Sequence, residues 1–179
     1  MNQPPARRSP TKRRIAALDT GMLAEMLVAQ WLTLHSWTIL QRRWRCRWGE
    51  LDLVAYSESI AAQPQSLESP LIFVEVKARS TGNWDENGLM AITTQKQAKL
   101  WQAAKIFLSD YPTLAELPCR FDVALVYNEP VRRVSPSTPL VTSDSLELPT
   151  SIELGQPVTI AGYCLTLQHY IQDAFEQSF

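Results

Sequence analysis

Apolar residues recur along the first half of the chain with two different periods, and each change of period marks an element. A spacing of about 3.6 residues predicts a helix that begins near residue 19 or 20 and ends near residue 35. The segments 37–46, 50–56 and 71–78 alternate apolar and other residues and are rich in β-formers, so they predict three strands. The turn at Trp48-Gly49 separates the first strand from the second.

The second half begins with another amphipathic pattern. It predicts a helix over about 93–111, with Trp101, Ala104 and Leu108 on its inward face. The run FDVALVY at 121–127 is short and apolar, as is typical of a strand buried on both faces.

The C-terminal part carries weaker signals. A strand is predicted over 158–163 and a helix over about 166–177. The order α-β-β-β-α-β predicts a mixed central sheet flanked by helices, which is an α/β fold.

Length and composition favour one domain. The chain has 179 residues, of which 45% are hydrophobic, enough for one packed core. Residues 1–18 hold three prolines and five basic residues without an acid, and we expect a disordered tail before a domain at 19–179. The polar, proline-containing stretches 57–70 and 129–157 are interpreted as surface insertions.

The cysteine and histidine content limits the kinds of metal and catalytic site that the chain can form. Three widely spaced cysteines fit neither a disulfide framework nor a zinc site and suggest a reducing cytoplasm. The longest apolar runs are far shorter than the ~20 residues that cross a bilayer. Two histidines argue against a His-rich metal site, so any catalysis must rely on carboxylates, lysine or a bound metal.

Charged residues of the second and third strands fall on one face. If these strands form an antiparallel hairpin with Tyr56 opposite Leu71, then Asp52 lies opposite Glu75 and Glu50 opposite Lys77. The other face then carries apolar residues only: Leu51, Leu53, Ala55, Ile72, Val74 and Val76.

Two adjacent carboxylates repel each other unless a proton or a cation lies between them. Hard oxygen ligands of this kind suit Mg²⁺ or Mn²⁺, and such a site favours phosphoryl transfer, with Lys77 as an aid to charge stabilisation. Taken alone, the spacing is more typical of a solvated surface strand.

Glu25 strengthens the metal hypothesis. It falls outside the polar wedge of the first helix, on a face with Met22, Val28 and Leu32, where a carboxylate needs a partner. It could be a third carboxylate at the same centre, or it could pair with an arginine of the 42–47 run.

Several stretches together resemble the YraN-like family. They are Gly21 and Glu25 in the first helix, RRWRCRWGELDLVA, FVEVKAR, the helix with Lys96, and RFDVALV at 120–126. The closing HYIQDAFE is similar to the family's C-terminal helix. The YraN-like family is assigned to the PD-(D/E)XK, or restriction-endonuclease-like, nuclease superfamily.

The resemblance implies an αβββαβ core like that of archaeal Holliday-junction resolvases. It also implies that Asp52, Glu75 and Glu25 bind Mg²⁺ or Mn²⁺, and that Lys77 takes part in catalysis. Lys96, or Gln95 beside it, would lie near the DNA.

Two hypotheses on function follow. The first is a metal-dependent endonuclease acting on structured or branched DNA, with a homodimer as the expected assembly if the substrate is a junction. Phosphates would be bound by Arg42, Arg43, Arg45 and Arg47, and exposed bases by Trp44 or Trp48, although packing is expected for at least one of these tryptophans. The second hypothesis is a non-catalytic nucleic-acid-binding or interaction module on the same scaffold.

Overall fold

A computed structural model describes residues 20–61, 70–80, 92–131 and 148–176. The predicted tail therefore lies outside the described residues, as do most of 57–70 and the middle of 129–157. The elements are α1 (Thr20–Leu34), β1 (Thr38–Cys46), β2 (Gly49–Tyr56), the short α2 (Glu58–Ala61), β3 (Leu71–Arg79), α3 (Thr94–Asp110), a 3₁₀ turn (Pro112–Leu114), β4 (Cys119–Pro130), β5 (Pro157–Ile160) and β6 (Tyr163–Ile171).

In the described residues, six strands form one mixed sheet in the order β1-β2-β3-β4-β6-β5. Among these strands only β3 and β4 pair in parallel, and α3 makes the crossover between them. The order of the first elements is α1-β1-β2-β3-α3-β4, so the predicted α/β fold with an αβββαβ core is confirmed. None of the helices in the described ranges is long and apolar enough to span a membrane.

Each face of the sheet is covered by one long helix. α1 packs on one face with Leu53, Ala55, Ile72 and Val74 beneath it. α3 packs on the other face over Val54, Phe73 and Phe121. The pleat of each strand sends alternate side chains to the two faces, so the central strands are buried on both sides.

The inward face of α3 differs from the prediction. Leu100, Ala103, Ala104 and Phe107 are the buried residues of this helix. Ala104 was placed correctly, but Trp101 and Leu108 are only partly buried at the margin of the core. The helix is rotated because Phe107 packs edge-to-face against both Trp44 and Phe73.

The prediction of a C-terminal helix over 166–177 is wrong. The expectation that HYIQDAFE forms a helix like that of the family is therefore wrong as well. Residues 163–171 form β6, which pairs with β4 on one side and β5 on the other. Leu165 and Leu167 are both fully buried, which is the two-residue period of a strand. The strand predicted at 158–163 is the shorter β5, followed by a turn at Ala161-Gly162 where both residues have positive φ.

The second predicted insertion contributes to the core at its C-terminal end. Ile152 is 5% exposed and belongs to the cluster beneath α1. Leu148 packs against the same cluster. This part of the segment is therefore integrated with the domain.

Candidate metal-binding site

The register of the β2–β3 hairpin is the predicted one, with Tyr56 opposite Leu71 and Leu53 opposite Val74. The backbone ladder stops at the Leu53–Val74 pair. Asp52 precedes Leu53 in β2, and its Oδ2 accepts a hydrogen bond from the Val76 backbone N–H at 2.8 Å. A side-chain carboxylate thus replaces a backbone carbonyl in the ladder and is fixed beside Glu75.

The strand β1 departs from regular geometry opposite Asp52. Arg43 has a left-handed backbone with φ of 50°, between the paired residues Arg42 and Trp44. Leu51 packs under α3, whereas Leu53 packs under α1. The prediction that Leu51 shares the apolar face of Leu53 is therefore wrong, because the regular alternation is broken around Asp52.

Glu75 is the most buried acid of the site, with a side chain 3% exposed. Its Oε1 lies 2.6 Å from Lys77 Nζ and 3.1 Å from Lys96 Nζ. Its Oε2 is buried and has no hydrogen-bond partner among the described residues. A buried carboxylate oxygen without a partner is energetically unfavourable, and a bound cation would relieve that cost.

The environment of Asp52 raises the pKa of its carboxyl group. Burial and the neighbouring Glu75 carboxylate raise the pKa of Asp52 to about 7. The Val76 N–H and the Lys96 ammonium act in the opposite direction. The Asp52 carboxylate, whose ionisation is disfavoured, and the adjacent Glu75 carboxylate form a donor set that fits a hard divalent cation.

Glu25 lies close enough to Asp52 to raise its pKa as well. Its side chain is 15% exposed, and Oε2 lies 3.6 Å from Arg43 Nε. The pairing with an arginine of the 42–47 run, one of the two sequence interpretations, is thus observed. In the described parts of the chain no three His, Cys, Asp or Glu side chains are grouped closely enough to hold a metal ion. The role of Glu25 as a third ligand stays a prediction.

Glu50 does not lie opposite Lys77 as predicted. It accepts hydrogen bonds from Arg43 Nε at 2.7 Å and Arg45 Nε at 2.8 Å. Burial opposes ionisation, but the two arginines together hold the pKa of Glu50 below its usual value. The hairpin ladder ends before this residue, which leaves Glu50 to pair across β1 instead.

The arginines of β1 and its turn, at positions 42, 43, 45 and 47, are all exposed. Arg43 and Arg45 are engaged by Glu50, while Arg47 lies over the Trp48 ring at 5.6 Å. Trp44 packs edge-to-face against Phe107, so the expected packing role holds for it, and Trp48 is 42% exposed.

Asp122 is a second buried acid, for which no role is predicted from the sequence. This residue is fully buried and accepts hydrogen bonds from Arg120 Nε, the Tyr170 hydroxyl and the Asp173 N–H, at 2.7 to 2.9 Å. The signal was present in RFDVALV, where an acid interrupts a buried strand with an arginine two residues earlier on the same face.

The fold and site define a mixed α/β protein in which the buried Glu75, the neighbouring Asp52 and two lysines lie together at the end of the β2–β3 hairpin. The chain belongs to the uncharacterised protein family UPF0102, whose model matches residues 24–126. It is similar to a UPF0102 protein of Trichodesmium erythraeum, with 48% identity over 88% of this chain and 89% of that protein. A UPF0102 protein of Acaryochloris marina is 47% identical, over 91% and 93% of the two chains. One of Synechocystis sp. is 40% identical, over 88% and 97%.

Proposed function

We propose that this protein is a Mg²⁺- or Mn²⁺-dependent DNA endonuclease of the PD-(D/E)XK superfamily. The observation that carries the proposal is the buried Oε2 of Glu75, which has no hydrogen-bond partner among the described residues and lies beside the Asp52 carboxylate. A protein rarely retains such an arrangement unless it has a use for it, and a cation supplies the missing partner.

Each residue of the site has a distinct task in this proposal. Asp52 and Glu75 would hold the metal, and Glu25 is the third candidate ligand. A divalent ion in this position would neutralise phosphate charge and lower the pKa of a bound water.

Lys77 is held by Glu75 Oε1 at 2.6 Å, so its ammonium has a fixed place at the site. There it can donate hydrogen bonds to a phosphate oxygen or orient the attacking water. Lys96 reaches the same oxygen from the first turn of α3 and adds a second positive charge toward DNA.

DNA would approach along the exposed face of β1 and the β1–β2 turn. Arg42 and Arg47 are exposed and make no ion pair with any acid in the described ranges, so their charge is available to phosphates. Trp48, which is exposed beside Arg47, could stack on an unpaired base. This combination favours structured or branched DNA, and a junction substrate would call for a homodimer.

The test is cleavage of labelled flap, four-way-junction and single-stranded DNA with Mg²⁺, with Mn²⁺ and with chelator. We expect metal-dependent cleavage that falls at least ~100-fold in Asp52→Asn and in Lys77→Met. Asp110→Asn and Lys99→Met, which change exposed residues of α3, are the matched controls. Absence of cleavage on every substrate, or cleavage by the two site variants at the parent rate, would disprove the nuclease function.

A non-catalytic DNA-binding module is the second candidate. The pairing of Glu25 with Arg43 favours it, because a carboxylate neutralised by arginine is a poorer metal ligand. Binding that falls steeply with salt, without cleavage under any metal condition, would support this candidate over the first.

A further inference from the structure

A concave site lies on the other side of the sheet from Glu75. It is a cavity of about 310 Å³ at the C-terminal end of α1, bounded also by the end of β2 and the starts of β4 and α2. None of its lining residues is Asp52, Glu75, Lys77 or Lys96. Trp31 belongs to the hydrophobic cluster beneath α1, and Tyr170 packs against that cluster. Phe73, which lies on the same face of the sheet as Glu75, belongs to the cluster beneath α3.

Aromatic rings form one wall of this cavity. Trp31 contacts Tyr170 with ring centroids 4.6 Å apart and His35 at 4.2 Å. Trp37 lies at the same opening, beneath the Arg120 guanidinium. Flat, rigid faces of this kind bind planar ligands by stacking, at little cost in conformational entropy.

Arg120 gives the cavity a fixed guanidinium, whose charge is balanced by the Asp122 carboxylate. Its side chain is 10% exposed and is held by Asp122 through Nε and Nη2. Its third nitrogen, Nη1, makes no hydrogen bond to a described residue, and the 5.8 Å contact with Trp37 keeps the guanidinium plane in place. A guanidinium fixed in this way is suited to a phosphate oxygen.

The remaining lining is polar and contains no acid among the described residues. Ser57, Ser59 and Gln172 supply hydroxyl and amide groups. His35 Nδ1 lies 2.8 Å from the Trp31 carbonyl, which can only accept, so the neutral ring presents Nε2 as an acceptor. Mixed donors and acceptors beside aromatic faces match the edge and face of a nucleobase.

We propose that this cavity binds one nucleotide, with the base against Trp37, which is more exposed than the buried Trp31, and a phosphate oxygen on Arg120 Nη1. The nucleotide is either a free mononucleotide or the terminal unit of a DNA strand, since both present the same chemistry. Binding here needs neither a metal nor hydrolysis, so it stands apart from the proposed nuclease site.

The test is calorimetric titration of the full chain, without divalent ions, with adenosine 5′-monophosphate, adenosine and inorganic phosphate. A 5′-phosphorylated and an unphosphorylated single-stranded oligonucleotide are titrated in parallel by fluorescence anisotropy. We expect Ser59→Trp, which fills the cavity from the exposed α2, to weaken nucleotide binding at least ~10-fold, and Trp37→Leu to weaken it several-fold through lost stacking. Ser151→Trp, an exposed serine outside the cavity, should stay within about twofold of the parent.

The titrations separate the two sources of the nucleotide. Binding of the mononucleotide supports a free ligand, and binding of only the phosphorylated oligonucleotide supports a strand end. The proposal is overturned if neither binds, if inorganic phosphate binds as tightly as the mononucleotide, or if Ser59→Trp binds like the parent. Asp52→Asn should bind the nucleotide normally, so failure of the nuclease proposal and failure of this one are distinguishable.

Discussion

The surroundings of Asp52 disfavour its ionised form. Its pKa is raised from 3.8 to about 7, so the folded protein binds a proton more readily than the unfolded chain. Below the unfolded pKa both states are protonated and there is no penalty. As the pH rises from there through 7, the unfolded chain ionises first, and the free energy of unfolding falls.

Asp52→Asn should therefore stabilise the protein at pH 8 and have little effect near pH 4. The difference of about 3 pH units in pKa corresponds to at most about 4 kcal/mol. The Asn carbonyl can still accept from the Val76 N–H, so the ladder is kept. Urea unfolding of parent, Asp52→Asn and the exposed control Asp110→Asn at both pH values measures this. A variant less stable than its parent at pH 8 would contradict it.

Divalent cations should offset the same penalty. Mg²⁺ or Mn²⁺ that binds Asp52 and Glu75 in the folded state only will raise the melting temperature, by a few degrees at saturating concentration. The increase should be larger at pH 8 than at pH 5, because a protonated Asp52 is a poor ligand. Thermal unfolding followed by fluorescence, with and without metal, gives the result. An equal increase in Asp52→Asn would place the metal elsewhere.

The N-terminal cap of α3 stabilises the helix turn that positions Lys96 at the site. Thr93 Oγ1 accepts the Lys96 backbone N–H at 3.3 Å, which caps the helix that carries Lys96 to Glu75. Thr93→Ala should cost about 1 kcal/mol of stability because this cap is lost. The neighbouring exposed Thr94→Ala is the control and should cost less, since Thr94 is already inside the helix. Equal losses in urea unfolding would argue against the cap.

Among the elements of the fold, the β2–β3 hairpin could be predicted from the sequence, whereas the C-terminal strand β6 could not. A one-residue slip between β2 and β3 would place Leu53 and Ile72 on the wrong face, so their pattern specifies the register. Leu167, Tyr170, Ile171, Ala174 and Phe175 are instead spaced as on a helix. Pairing with β4 and β5 overrides that spacing, which no local pattern reveals.

The candidate metal-binding site was also predictable only in part from the sequence. Strand parity, which the sequence shows, places Glu75 and Lys77 on one face of β3, whereas Asp52 meets them where the regular β2–β3 ladder ends. The contact of Lys96 with Glu75, and of Arg43 with Glu25, depends on how α3 and α1 pack on the sheet. The left-handed backbone at Arg43 has no sequence signal, since arginine rarely adopts it.

For the whole molecule, Asp122 connects elements that are far apart in sequence. Arg120 binds it from within β4, Tyr170 from β6, and the Asp173 N–H from the turn after β6. Burial and the Asp122 carboxylate raise the pKa of the Tyr170 hydroxyl, which therefore stays a donor at any physiological pH. The fully buried charge of Asp122 is tolerated because Arg120 balances it.

Removing different partners of Asp122 should have unequal effects. Arg120→Met leaves a buried carboxylate without its counter-ion and should cost about 3–5 kcal/mol, whereas Tyr170→Phe loses one hydrogen bond and should cost about 1–2 kcal/mol. Urea unfolding at pH 7 compares them, with the exposed Arg42→Met as the control for loss of an arginine. A deficit of Arg120→Met no larger than that of Tyr170→Phe would mean that Arg120 stabilises the protein by packing on Trp37, and not by balancing charge.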